Sequence, residues 1–281
     1  MPDVSVVLPC FNAHAFLDRA LDSVRAQTVT DLEILIVDDG STDPDTIAYL
    51  DALDPSVRVV RQENRGLAGA RNRAFEEAKG RFVLPLDCDD WIAPDFVAKA
   101  LDAVGDSDDA FAFAWLDVFG DFSAVLQKNW NLYEQLFFNQ LPYCMLIPKA
   151  LWTRVGGYDE TMRWGYEDWD FNIRLGLAGA QGHVMAEPLF HYYASGSGML
   201  QTLSNRRYAE LWAGIQAKHR ETYRLGSLLK MKKAWAGRPS TYPPTLLLLW
   251  WLAFRVLPRP LFQALFDRLL RHSHVRRTAA A

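Results

Sequence analysis

The sequence predicts an α/β fold: a mixed, mostly parallel sheet flanked by helices, followed by a C-terminal helical extension. Three observations carry that expectation. The first hundred residues alternate short apolar runs with patterns of helical period. The apolar runs are unbroken, as in strands covered on both faces. Two acidic clusters, Asp38-Asp39-Gly40-Ser41-Thr42-Asp43 and Asp87-Cys88-Asp89-Asp90, follow directly on two of those runs. In such sheets ligands collect at the carboxyl ends of the strands.

Taken in order, Val4–Leu8 reads as a buried strand, and Ala15–Ala26 as a helix with Phe16, Leu17, Ala20, Leu21 and Val24 at helical spacing. Glu33–Val37 is a second strand, with a helix over roughly Asp45–Leu53. Val57–Val60 and Phe82–Leu86 are further strands, followed by helices over Gly69–Ala78 and Pro94–Val104 respectively, Pro94 suiting a first turn. Ala110–Val118 fits a strand, Leu132–Gln140 is aromatic and of unclear class, and helices are expected from about Asp168 and over Ser204–Tyr223. Leu246–Phe254 is the most apolar run, too short for the roughly 20 residues that cross a bilayer. Leu261–Leu270 sets Leu and Phe against Arg268 and Arg271. Leu, Trp and Phe beside Arg is the composition of a helix lying in a membrane interface, and equally that of a helical pair packed on the domain.

Half of the 281 residues are apolar and 23% are charged, which fits a globular chain with a sizeable core. Three widely spaced cysteines, Cys10, Cys88 and Cys144, give neither a disulfide framework nor metal-ligand spacing. With a first strand starting almost at Met1, there is no room for a signal peptide, so the expected setting is cytoplasmic. From Lys218 onward there are thirteen Lys/Arg against two acids, a net of +11, which leaves −15 for the rest of a chain whose net charge is −4. A basic tail on an acidic body suggests contact with an anionic surface, and its Leu/Trp content favours lipid over nucleic acid. The expected location is therefore peripheral, on the inner face of the cell membrane.

The two acidic clusters should open on one sheet edge. Converging carboxylates raise each other's pKa, and a hard divalent cation, Mn2+ or Mg2+, removes the conflict. Each cluster also has a plainer reading: an Asx turn with Ser41, Thr42 or Asp43 capping the next helix, and Asp89 or Asp90 as a cap before Pro94.

The blocks Val4–Asn12, Val37–Asp43, Asn64–Asn72 and Leu86–Asp90, then Gly156–Glu160 with Trp164–Asp170, resemble the family 2 glycosyltransferases in order and spacing, over roughly residues 3–200. The resemblance implies a Rossmann-like GT-A fold and an inverting transfer from a nucleotide diphosphate sugar, a UDP-sugar in most relatives, to an acceptor hydroxyl. It makes residues 1–200 the glycosyltransferase domain, with a nucleotide-binding half to about 105, an acceptor half over 106–200, and 201–281 as the extension. It places Asp39 on the donor base, Phe11 stacked on it, Pro9 shaping the pocket and Arg71 near the nucleotide at a helix start. Asp87 faces the donor ribose and Asp89 holds the metal that bridges the phosphates. Asp168 becomes the general base. Glu167 and Trp164 would contact acceptor or sugar hydroxyls, with Trp169 a second candidate platform. His191 would be a further metal ligand, although Phe190-His191-Tyr192-Tyr193 departs from the family pattern. The acceptor is expected to be a glycan or a lipid-linked sugar in polysaccharide biosynthesis.

Two other readings compete. A sugar nucleotidyltransferase would carry a glycine-rich basic loop after the first strand, where this chain has Phe11-Asn12-Ala13-His14. A catalytically silent scaffold of the same fold would not need its acidic motif positions filled.

Overall fold

The computed structural model describes residues 2–196, 198 and 200–278. In chain order the elements are β1 (Val4–Cys10), α1 (His14–Arg25), β2 (Leu32–Asp38), α2 (Pro44–Asp51), β3 (Val57–Arg61), α3 (Gly66–Glu77), β4 (Phe82–Pro85), β5 (Trp91–Ile92) and α4 (Phe96–Val104). They continue with β6 (Ala110–Gly120), β7 (Ala124–Leu126), α5 (Leu132–Gln135), β8 (Ile147–Pro148), α6 (Lys149–Val155), α7 (Glu167–Leu177) and β9 (Gln181–Ala194). After an irregular helical stretch over 200–207 come α8 (Tyr208–Lys218), α9 (Leu225–Ala234), α10 (Pro244–Val256) and α11 (Arg259–Thr278).

The main sheet has the order β3-β2-β1-β4-β8, parallel except for β8. Its strands are apolar without alternation because both faces are covered. Val6, Leu8, Ile36 and Leu84 pack under α1, α2 and α4. Val7, Leu35, Val37 and Val83 pack on the other side with α3, α6 and α7. Strand order reverses between β1 and β4, so a crevice opens there at the carboxyl ends.

A second sheet, β5-β9-β6-β7, is not anticipated by the sequence reading. β9 escapes it because Pro188 and several polar residues interrupt its pattern. The β6–β9 ladder shifts register between Ala114 and Leu116, and Pro188 lies in the matching gap between Met185 and Phe190. A strand tolerates proline at such an interruption.

The segment after residue 200 shares a core with the rest of the chain. Tyr208, Trp212, Trp251, Phe254, Phe262 and Phe266 pack with Tyr133 and Phe137 near α5 and with Trp169 and Ile173 of α7. Each such side chain stabilises by about 1.5–3 kcal/mol on full burial. Buried Glu134 ties down the loop before α10 by accepting from the Thr241 and Tyr242 N–H groups at 2.9 and 3.1 Å. Asp170 of α7, fully buried, accepts from Arg174 (2.9 Å), Lys218 (2.9 Å) and His219 (2.8 Å), the last two at the end of α8. Among the described residues no helix is long and apolar enough to cross a membrane.

Candidate active site

The crevice is built from three loops at strand ends. Asn12, in the left-handed region at φ 51°, follows β1 and stitches it to the loop after β2. Its Oδ1 accepts from the Thr42 and Asp43 N–H groups at 2.8 and 2.9 Å. In that second loop Asp38 accepts from Ser41 N–H, three residues on, at 2.9 Å and so holds the turn, and Asp43 caps α2 through Thr46 N–H at 3.0 Å. The plainer reading therefore holds for Asp38 and Asp43. Asp39 is buried, and its carboxylate gathers the start of α3, accepting from Gln62 Nε2 (2.7 Å), Arg65 N–H and Gly66 N–H (both 2.8 Å). Gly40 permits this approach, since at φ 75° a Cβ there would meet Asn64 N at 2.9 Å. Three donors leave one of a carboxylate's roughly four acceptor positions open. Pro9 lies in β1, where its carbonyl accepts from the Cys88 thiol at 3.2 Å, and Phe11, just past the strand, is 48% exposed.

A cavity of about 1180 Å³ is lined by Asp87 and Asp89 after β4, by Arg71 of α3, and by Glu167 and Asp168 of α7. These residues are far apart in sequence, and the fold brings them to one space. The turn into α7 runs through Gly165 at φ 94° and Tyr166 at φ 65°. A bulky residue in that region is strained, and such strain concentrates where a turn must place functional groups. It puts Glu167 and Asp168 on the first turn of α7, where the helix dipole favours anions.

Arg71 lies in the second turn of α3, not at its start, and lines the cavity. Its guanidinium is 2% exposed and braces the two acidic walls, donating to both Asp87 oxygens and to Glu167 Oε1, each at 3.0 Å. Tyr143 covers it at 4.6 Å. Burial works against its charge, but Asp87 and Glu167 more than offset that and hold it protonated.

Burial and the neighbouring Asp168 push Glu167 up to about 7 despite Arg71. Burial likewise raises Asp168, opposed by Arg71 and by the hydrogen bond from Asn139 Nδ2 at 2.8 Å. The Asn139 amide is itself held, its oxygen accepting from Gln135 Nε2 (2.8 Å) and Asn172 Nδ2 (3.1 Å). Nothing in the sequence pattern singles out Asn139. Burial and Asp87 push Asp89 up to about 6. Asp90 does not cap a helix. It is buried, and it accepts from the Tyr143 hydroxyl and from Tyr193 N–H, tying the β4 loop to β9.

Two expected residues lie elsewhere. His191 is not in the cavity and is not placed to ligate a metal beside Asp89. Along β9 its side chain points opposite to those of Phe190 and Tyr192, which do line the cavity, and it meets Asp117 at 3.0 Å and stacks on Trp91. Trp164 is 50% exposed, outside the cavity lining, with Arg207 over its ring at 4.5 Å. Trp169 does line the cavity; it is buried, and its indole N–H donates to Gln135 O.

No group of three or more His, Cys, Asp or Glu side chains among the described residues converges to hold a metal. Asp89 accepts no side-chain hydrogen bond among them and sits against a second carboxylate. That set fits a hard cation held by one or two carboxylates and completed by phosphate and water oxygens, not a closed all-protein cage.

The model of the family described as glycosyl transferase family 2 matches residues 5–170. A putative glycosyltransferase, EpsH of Bacillus subtilis, is 39% identical over 130 residues, 46% of this chain and 38% of that protein. Chondroitin synthase of Escherichia coli is 30% identical over 195 residues, 66% of this chain and 28% of that protein, so the chain spans well under half of either relative. Among solved structures, Staphylococcus aureus TarS 1-349 in complex with UDP-GlcNAc superposes with TM-score 0.64 at 19% identity, covering 83% of this chain and 73% of that one. The complex of TarS 1-349 with UDP gives 0.63 at 19%, covering 84% and 70%. The superpositions agree with the GT-A arrangement of strands and helices, and the family match runs from β1 into the first turn of α7, taking in every residue that lines the acidic part of the cavity: the chain belongs to glycosyl transferase family 2.

Proposed function

We propose that this glycosyltransferase moves a sugar from a nucleoside diphosphate donor, a UDP-sugar, to an acceptor hydroxyl with inversion, in the assembly of a glycan or polysaccharide. The observation that carries the reading is the shared cavity, with the Asp87/Asp89 pair on one side and Glu167/Asp168 on the other, braced by Arg71. The UDP and UDP-GlcNAc complexes of TarS and the name of the chondroitin synthase support the donor class and the setting.

Phe11 offers an exposed apolar face for the base, and the open acceptor position on Asp39 suits a base N–H. Asp87 faces the ribose. Asp89, with Asp87 beside it, would hold Mn2+ or Mg2+, which supplies charge neutralisation to the departing diphosphate. Asp168 takes the acceptor's proton as the acceptor oxygen bonds to the anomeric carbon. The bond from that carbon to the diphosphate breaks, and its electron pair leaves with the nucleotide. Arg71 and the Asn139 amide oppose the effect of burial on Asp168 and favour its charged form. Glu167, adjacent, is placed to bind a sugar hydroxyl.

Asp168→Asn tests the assignment. Transfer should fall by about 10²–10⁴-fold, the usual worth of a positioned base, with donor affinity nearly unchanged. A variant that keeps most of its activity removes Asp168 as the base. Donor binding without turnover in the unaltered chain, across a panel of sugar nucleotides with manganese, would favour the scaffold reading.

A further inference from the structure

We infer that the outward faces of α10 and α11 dock on an anionic lipid bilayer. In α10, Leu247, Trp251 and Phe254 face the core. Leu249, Leu252 and Val256, at i, i+3 and i+7, fall on the opposite side of the helix and are exposed, Val256 to 79%, with Leu246 at their edge. In α11 the same division recurs: Phe262 and Phe266 turn inward, and Leu261 and Leu265 are exposed. Nine of the fifteen exposed large apolar side chains among the described residues follow residue 200, so the exposure is concentrated and not scattered.

Charge decides what covers these faces. From Lys218 onward thirteen Lys/Arg stand against two acids. Arg255, Arg259 and Arg268, on the same two helices, are exposed. The guanidinium groups of Arg255 and Arg259 lie over the rings of Trp251 (5.1 Å) and Phe254 (3.7 Å). Apolar rows edged by cations suit a surface that is apolar within and anionic at its rim, as a bilayer of acidic lipids is. A second copy would bring the same positive charge to the contact, and a nucleic acid would leave the leucines and valine in water. At 13 residues α10 is too short to cross, so it lies along the surface.

The same elements wall the cavity. Phe266 and Leu269 of α11 and Tyr242 just before α10 line it. Docking through α10 and α11 therefore brings the cavity within reach of an acceptor anchored in the bilayer. That last link rests on the glycosyl-transfer reading, and the docking does not.

The test uses the whole chain and a triple variant, Leu249→Glu, Val256→Glu and Leu261→Glu, none of which lines the cavity. Sedimentation with vesicles of equal parts phosphatidylglycerol and phosphatidylcholine should show binding at least about tenfold tighter than to phosphatidylcholine alone. The triple variant should lose at least about tenfold of it, with its circular dichroism and its donor turnover in solution unchanged. Equal binding by variant and unaltered chain overturns the inference. So does indifference to lipid charge, a dimer in solution that the variant dissolves, or DNA binding as tight as vesicle binding. Donor turnover is measured without vesicles, so its absence from both proteins would count against the glycosyl-transfer reading and leave the docking result standing.

Discussion

Replacing Arg71 by Met removes a buried cation from between two carboxylates and keeps most of the apolar stem. The side chain is 2% exposed and makes three contacts of 3.0 Å, two to Asp87 and one to Glu167. Removing one partner of a buried ion pair costs about 3–5 kcal/mol, since the remaining charge is left uncompensated. Two features draw the figure toward the lower end. The Asp87 side chain is 23% exposed and can take water, and Glu167, already at about 7, can take a proton. About 3 kcal/mol in a chain of this size lowers Tm by about 6 °C. The loss must depend on pH. Without Arg71 the folded-state pKa of Glu167 rises further above its unfolded value, so the folded state loses stability as pH climbs through that value. The gap in Tm between variant and unaltered chain should therefore widen from about pH 6 to about pH 8. Thermal melts followed by circular dichroism at several pH values measure this. Melts that coincide within about 2 °C throughout that range would show that the bridge gives no net stability. Arg71→Lys should fall between, because an ammonium is a point charge and cannot serve both walls with a planar fork.

Transfer should decline as pH falls through about 7, where Glu167 protonates, and the manganese needed for half-maximal rate should rise below about 6, where Asp89 does; a flat rate profile from about pH 8 to about pH 5 would contradict the first, and an unchanged manganese requirement the second. Asp170→Asn leaves Arg174, Lys218 and His219 facing a neutral amide, so it should cost about 3–5 kcal/mol in a denaturant titration and loosen α8 from α7. Burial opposes that carboxylate's charge, but the hydrogen bond from His219, with Arg174 and Lys218, holds its pKa well below the usual range, so its contribution is present at neutral pH and is lost as pH falls through that depressed value. Asn139→Leu removes the amide's hydrogen bond to Asp168 and should lower kcat about tenfold with the donor KM unchanged; equal rates would make Asn139 a packing residue only.

The main sheet was legible because its information is local. Each strand is a short apolar run, each crossover helix has its own period, and the acids that end β2 and β4 follow directly on apolar residues. The second sheet was not, because β9 is defined by its pairing with β6, about seventy residues earlier, and carries Pro188 where that pairing breaks. His191 was misassigned for the same reason. A residue between Phe190 and Tyr192 on a strand faces away from them, which becomes visible only once the strand is known. No spacing rule brings Asp89 and Asp168 to one cavity, and the resemblance to a family supplied that pairing. The brace formed by Arg71 lay beyond both, since its partners Asp87 and Glu167 lie 16 and 96 residues away and no spacing rule pairs them.

The shared core of α5, α7 and the last four helices sets an order of events during synthesis. β1 to β4 and the helices between them lie in the first 105 residues and are made before any residue that seats α7. The helix bearing Glu167 and Asp168 leans on Trp212, Phe262 and Phe266, so its seat is finished only when residue 266 is free of the exit tunnel. The cavity wall that carries Glu167 and Asp168 is thus the last part of the crevice to be completed as the chain is made.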